Sequence, residues 1–279
     1  GIIGSKPPST AKFFDFDNDG DQDLLIGEAA PSSAEAQANL LAETDDKVSA
    51  LRLYQNNGDG TLSEITDDTG LGTVEEQVSV DEGHSIVKEL RNPAIVDVRC
   101  IGIVDLDSDG YEDFVIGTGD LGVNRAFWNR QGMDFRDVSV STGMSFVDSP
   151  HGFVSADLNG DGATELLSQK ENGEIRWQEP IGGSSNWLNL DLAGSRPGTR
   201  VAFVVRDQDW VLHPIQRVSG TSPRLTVGLG NAKTIESIQV FAPEKTDPVK
   251  MLESVEPNQS IEIQVPKTPK PRAVVPLSE

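Results

Sequence analysis

Cysteine is almost missing from this chain: among 279 residues only Cys100 carries a thiol. That excludes a disulfide framework inside the chain, and cysteine gives no sign of compartment. Histidine is scarce too. His84, His151 and His213 are scattered with no i, i+4 pairing, so neither a zinc site nor a nucleophile triad is indicated. Cations are outnumbered, 23 Lys and Arg against 45 Asp and Glu, for a formal charge of −22. Such a surface repels nucleic acid and anionic membranes, so neither is expected as a partner. No apolar run approaches the length of a membrane span, and none is expected. The sequence opens Gly1-Ile2-Ile3-Gly4 without Met or a signal peptide, which predicts a processed or partial chain.

What is present points to β structure. Hydrophobic residues make up 36%, with ten Phe and four Trp, enough for a core. The 27 Gly and 16 Pro suit a turn-rich β protein better than a helical one. The acidic residues are not spread evenly. Asp15, Asp17, Asp19, Asp21 and Asp23 fall within nine residues, around Gly20 and between the apolar runs Phe13-Phe14 and Leu24-Leu25-Ile26. Carboxylates at positions 1, 3, 5 and 9 of this stretch repel one another unless a cation sits among them. Hard oxygen ligands in that number suit calcium, with the carbonyl of position 7 as a further ligand and the glycine at 6 permitting the sharp turn. The spacing returns twice. Asp105, Asp107, Asp109, Tyr111 and Asp113 repeat it around Gly110, and Asp157, Asn159, Asp161, Ala163 and Glu165 repeat it around Gly162. Two Ca²⁺ sites are expected, with a third in the last loop. Three bound ions would bring the charge to about −16.

An EF-hand loop begins the same way but needs a bidentate Glu at position 12 and a helix on each side. Here position 12 is Ile26, Ile116 and Ser168. The runs Leu24-Leu25-Ile26-Gly27 and Phe114-Val115-Ile116-Gly117 are short, β-rich and ended by glycine, so each loop is expected to join strand to strand.

The pattern Asp-x-Asp-x-Asp-Gly-x-x-Asp, an apolar triplet and Gly resembles the FG-GAP/VCBS repeat of integrin α-subunit propellers and many secreted bacterial proteins. The resemblance implies one four-stranded blade per repeat, with calcium between its first two strands. Leu51–Leu62, with Asn56-Asn57-Gly58-Asp59-Gly60 as its turn, resembles the closing half of such a blade, and Ala126–Phe135 repeats it loosely. From Asn186 the pattern changes to closely spaced strand-like runs at 187–192, 201–206, 210–217, 225–229, 235–241 and 261–265. These read as a compact antiparallel sandwich. Trp187-Leu188-Asn189-Leu190, Gly198-Thr199-Arg200-Val201 and Val227-Gly228-Leu229-Gly230 resemble the ASPIC/UnbV domain of cartilage-acidic-protein-like sequences, although Phe241-Ala242-Pro243-Glu244 stands where a Trp-Pro-x-Gly turn is usual.

The expected fold is therefore all-β. Residues 1–12 form an extended segment, 13–180 hold three propeller-type blades, 181–265 the sandwich and 266–279 a Pro-rich tail. A degenerate fourth blade within 71–101 is left open. Ser32 and Glu35 form a capping box that predicts one inserted helix over about 33–43. Gly117–Gly122 fits G-x-G-x-x-G but is followed by a strand-like run, which argues against a nucleotide cradle. No G-x-S-x-G occurs, carboxylates used as ligands cannot act as general acids, and no enzyme activity is expected. Asn258-Gln259-Ser260 is a glycosylation sequon.

The functional expectation is a calcium-binding, non-enzymatic structural or adhesion protein at the cell surface or outside the cell. Weak sites of this type fill only in extracellular calcium. Too few blades to close a ring leave edges to cover, so a homo-assembly or filament is expected, with Gly1–Thr10 or Arg272–Leu277 as strands donated to a neighbour. An extracellular protein or glycan is another partner. An accessory or carbohydrate-binding region of a larger secreted enzyme is the alternative, with Trp128, Trp177, Trp187 or Trp210 stacking on sugar rings.

Overall fold

The computed structural model describes residues 8–30, 50–72, 95, 97–119, 123–145, 149–170, 172–179, 185–206, 212–219, 224–243 and 245–266. All regular structure among them is β. The first sheet has the order β1-β2-β3-β4, from Pro8–Phe14, Asp23–Glu28, Leu51–Asn56 and Leu62–Glu64. The second repeats it with β5 (Val98–Val104), β6 (Asp113–Thr118), β7 (Arg125–Asn129) and β8 (Phe135–Asp137). The third has three strands, β9 (Gly152–Ala156), β10 (Glu165–Gln169) and β11 (Ile175–Gln178). Every pairing within these sheets is antiparallel. β1 begins at Pro8, five residues before the expected start, so residues 8–12 belong to the first sheet's own first strand.

The register shows why these strands stack. In β6 all six residues are buried, since both faces are covered, and its centre, Phe114-Val115-Ile116, is correspondingly apolar without alternation. One face, Phe114 and Ile116, meets Phe14, Leu25 and Leu53 of the first sheet. The other, Val115, joins Val104 and Ala126 against Leu166 and Phe153 of the third. Phe114 stacks on Phe127 with ring centroids 4.8 Å apart and meets Phe135 edge-on at 5.0 Å. Glycine makes the close approach possible. A Cβ on Gly27 would lie 2.5 Å from Val98, and one on Gly102 would lie 2.5 Å from Phe153. The first and second sheets are thus direct neighbours, and among the described residues no fourth sheet stands between them. Residues 73–94 and the expected helix at 33–43 lie outside the described residues.

The C-terminal part has its own core of Leu188, Leu190, Leu192, Phe203, Ile238 and their neighbours. One sheet has the order β15-β12-β18, from Arg224–Gly230, Asn186–Ala193 and Gln259–Gln264. The other has the order β14-β13-β16-β17, from Leu212–Ser219, Thr199–Arg206, Thr234–Phe241 and Lys250–Val255. Thr199, Val201, Phe203 and Val205 alternate inward along β13, the period-two pattern of a strand covered on one face. Two features depart from the expected sandwich. β17 is an additional strand, because Lys250–Val255 lacks a clean apolar alternation. The β12–β18 pair is parallel rather than antiparallel, since β18 returns from the opposite sheet instead of through a hairpin.

Candidate metal centre

The three acidic loops join β1 to β2, β5 to β6 and β9 to β10. Each is wound by its own carboxylates in the same way. The position-1 aspartate accepts the N–H of the position-6 glycine: Asp15 from Gly20 at 3.0 Å, Asp105 from Gly110 at 3.1 Å, Asp157 from Gly162 at 3.1 Å. The position-5 aspartate accepts the N–H of position 7, Asp21, Tyr111 or Ala163 in turn. The position-6 glycines hold φ of +97°, +94° and +87°, where a side chain is strained. Position 4 is also left-handed, at +57° for Asn18, +57° for Ser108 and +83° for Gly160. Asn and Gly tolerate that region, so residue type accounts for it in the first and third loops but not at Ser108.

Bending the chain in this way turns positions 1, 3 and 5 toward one point. Carboxylate oxygens of Asp15, Asp17 and Asp19 lie within 4.8 Å of one another, as do those of Asp105, Asp107 and Asp109. Asp15 is buried, and its Oδ1 has no hydrogen-bond partner. Burial pushes the Asp15 carboxyl up to about 7, and the charges of Asp19, Asp17 and Glu112 push the same way. Burial likewise lifts Asp109 to about 8, with Asp107 and Asp105 adding to it, and raises Asp107. Loops with these properties resist carrying their charge unaided. A hard divalent cation fits the donor set; Asp15, Asp17 and Asp19 would hold one ion and Asp105, Asp107 and Asp109 another.

Position 9 behaves differently from the expected ligand. Asp23 is fully buried, and both its oxygens accept backbone amides, Phe16 at 3.1 Å and Asn56 at 2.9 Å. Asp113 repeats this with Leu106 and Asn129, both at 2.6 Å. Glu165 takes Leu158 at 2.7 Å, and its Oε1 is buried without a partner. These side chains fasten the start of each loop to the second strand, and in the first two sheets to the third strand as well. Burial lifts Asp23 to about 7 and raises Asp113 well above the usual carboxylate range.

The third loop is organised less for a cation. Asn159 replaces a carboxylate and donates to Asp161 at 2.9 Å, while Asp157 accepts Gly160, Gly162 and the side chain of Asn189.

Several supporting residues carry no motif. Gln55 on β3 donates to Asp17 at 2.8 Å. Asn129, fully buried on β7, donates to the carbonyls of Phe16 at 2.7 Å and Glu112 at 3.0 Å, bridging the first two loops. Glu112 accepts the Asp15 N–H at 3.2 Å. Of the tryptophans considered for sugar stacking, Trp177 is exposed, Trp128 and Trp187 are partly buried, and Trp210 lies outside the described residues. In Gly117–Gly122 residues 120–122 lie outside the described residues, and the next strand is β7. The sequon residue Asn258 donates its side-chain amide to Asn186 and accepts the Trp187 N–H.

Residues 105–168 match the FG-GAP-like repeat, so one such repeat is present there. The matched span opens on Asp105, position 1 of the second loop, and closes in β10, just past the third loop. No curated protein matches the chain.

Proposed function

We propose that this chain is a calcium-binding, non-enzymatic adhesion or binding module that works outside the cell. The FG-GAP-like repeat is consistent with an adhesion or binding role. The observation that carries the calcium reading is the convergence of three carboxylates in each of two loops, with Asp15 Oδ1 buried and unpartnered. Calcium supplies the positive charge that lets these groups share one volume. The residues supply the turn, the oxygens and the attachment to three stacked sheets. Sites with few bidentate ligands are weak, in the range of about 0.1–1 mM, and fill in extracellular but not cytosolic calcium. The third loop is the weakest candidate of the three, having two carboxylates and one amide at positions 1, 3 and 5.

The proposed binding face is the outer side of the third sheet. Val154, Leu167 and Trp177 lie side by side across its strands. Val154 is 64% exposed, Trp177 50% and Ile175 65%. The equivalent faces of the first two sheets are each covered by the next sheet. A second copy of the chain, building a homo-assembly, is the partner proposed. The ASPIC/UnbV-like reading of the C-terminal sandwich belongs to the same proposal and adds no activity to it. The test is calcium titration of the purified chain by calorimetry, with magnesium as the control. Heat from calcium saturating at two or three equivalents supports the reading, and no uptake at 5–10 times the expected millimolar Kd overturns it.

A further inference from the structure

The sandwich does not merely follow the repeats; it rests on their loops. The Gly230 N–H at the end of β15 donates to the Ser108 carbonyl at 2.8 Å. Ser108 is position 4 of the second loop, between the ligands Asp107 and Asp109, and is held left-handed. The Ser185 hydroxyl donates to the Asp107 carbonyl at 3.1 Å. Gly228 is pressed so closely on this turn that a Cβ would lie 2.4 Å from Ser108 C and 2.4 Å from Asp105 Oδ2. The third loop is met in the same manner. The Trp187 ring covers Gly162, where a Cβ would fall 1.9 Å from ring carbon. Asn189, only 7% exposed, donates to Asp157 at 3.0 Å. Loop one is held by other means, through Gln55 and Asn129.

From this geometry we infer that β15 of the sandwich, with Ser185 just ahead of β12, positions the second loop for its cation, and that docking of the sandwich and calcium binding at that loop are linked. The inference rests on the calcium reading above. The main-chain turn carrying Asp107 and Asp109 is the same turn whose carbonyls receive Ser185 and Gly230. Without an ion the three carboxylates push this turn open, which loosens the contact. With an ion the turn closes and the two carbonyls stay aimed at the sandwich. Linkage runs both ways, so a docked sandwich strengthens calcium at loop two by the factor by which calcium strengthens docking. The first loop has no share in that factor.

The experiment uses the full chain and calcium alone as the probe. Calorimetry is run on Gly228→Val in two backgrounds, Asp19→Ala to silence loop one and Asp109→Ala to silence loop two. In the first background the Val wedge is expected to weaken calcium about tenfold, and in the second to leave it unchanged. Equal weakening in both, or none in either, overturns the inference. A measurement that needs no substitution stands beside it: amide exchange at Gly230 in the unaltered chain. It is expected to slow about tenfold when calcium is added. Calcium uptake with Gly230 exchange unchanged overturns the linkage and leaves the calcium reading standing. No uptake at all overturns both.

Discussion

The side chain of Asn18 donates to the carbonyl of Gly110 across 3.2 Å. This bond joins position 4 of the first loop to the turn glycine of the second, so the two candidate ion sites are stacked one on the other. Glu112 reinforces the contact by accepting the Asp15 N–H, and its charge adds to the load on Asp15. Part of the charge crowding Asp15 therefore comes from the neighbouring sheet.

Calcium should stabilise the fold by mass action. At about 100 times Kd each occupied site adds roughly 2.7 kcal/mol when binding is confined to the native state. The melting temperature should rise with calcium and far less with magnesium, which gives up its waters reluctantly. Thermal melts in calcium, magnesium and chelator check this, and identical midpoints in all three would refute a structural role for the ion.

Position 3 and position 9 should separate cleanly by mutation. Asp17→Asn removes a ligand and one repelling charge, so it should abolish the calcium response of loop one while leaving the calcium-free protein no less stable. Asp23→Ala strands two backbone N–H groups that the buried carboxylate satisfies. That should cost about 2–6 kcal/mol with or without calcium, at about 1–3 kcal/mol per unsatisfied donor. Urea unfolding of both variants in chelator is the measurement, and an Asp23→Ala chain as stable as the parent contradicts the assignment.

The calcium-free protein should lose stability as pH rises. Burial pushes Asp15 and Asp23 up to about 7 and Asp109 up to about 8, against 3.8 for an unburied aspartate. Between those values the folded chain holds more protons than the unfolded one, so each increment of pH favours unfolding. The loss begins near the unfolded value and is complete above about 8. Bound calcium displaces the protons of Asp15 and Asp109, so its affinity should weaken as pH falls below about 7. Urea midpoints of the calcium-free chain at several values between about pH 5 and about pH 8 test the sign, and a midpoint that climbs across that window contradicts it.

Gly102→Ala should disturb the contact between the second and third sheets. Its Cβ would stand 2.5 Å from that of Phe153 and 3.0 Å from Val115. Overpacking of this kind costs about 1–3 kcal/mol. Guanidinium denaturation followed by Trp fluorescence reads it, with an unchanged midpoint as the contrary result.

The outer face of the third sheet should govern self-association. Val154→Lys places a charge at one end of the exposed apolar row without touching a loop. Light scattering in calcium should show a larger particle for the parent chain and a smaller one for the variant. A parent that is monomeric at high concentration would count against the second-copy partner.

By itself the sequence determined the loops and their strands. Carboxylate spacing, the position-6 glycines and the apolar triplets after position 9 are local, and local chemistry dictates a turn between two strands. The alternation in β13 and the apolar triplet Phe114-Val115-Ile116 in β6 gave burial on one face or two before any partner was known. Tertiary structure decided what each carboxylate does. Asp15 and Asp23 are the same residue type in one motif, yet one leaves an oxygen free toward its neighbours and the other has both oxygens fastened to amides from Phe16 and Asn56. No spacing rule separates them, because one of those amides arrives from a strand more than thirty residues away. The parallel β12–β18 pair, the bridge made by Asn129 and the seating of Gly228 on Ser108 are likewise contacts between distant segments. Folding alone brings them together, since each joins residues that are far apart in the chain.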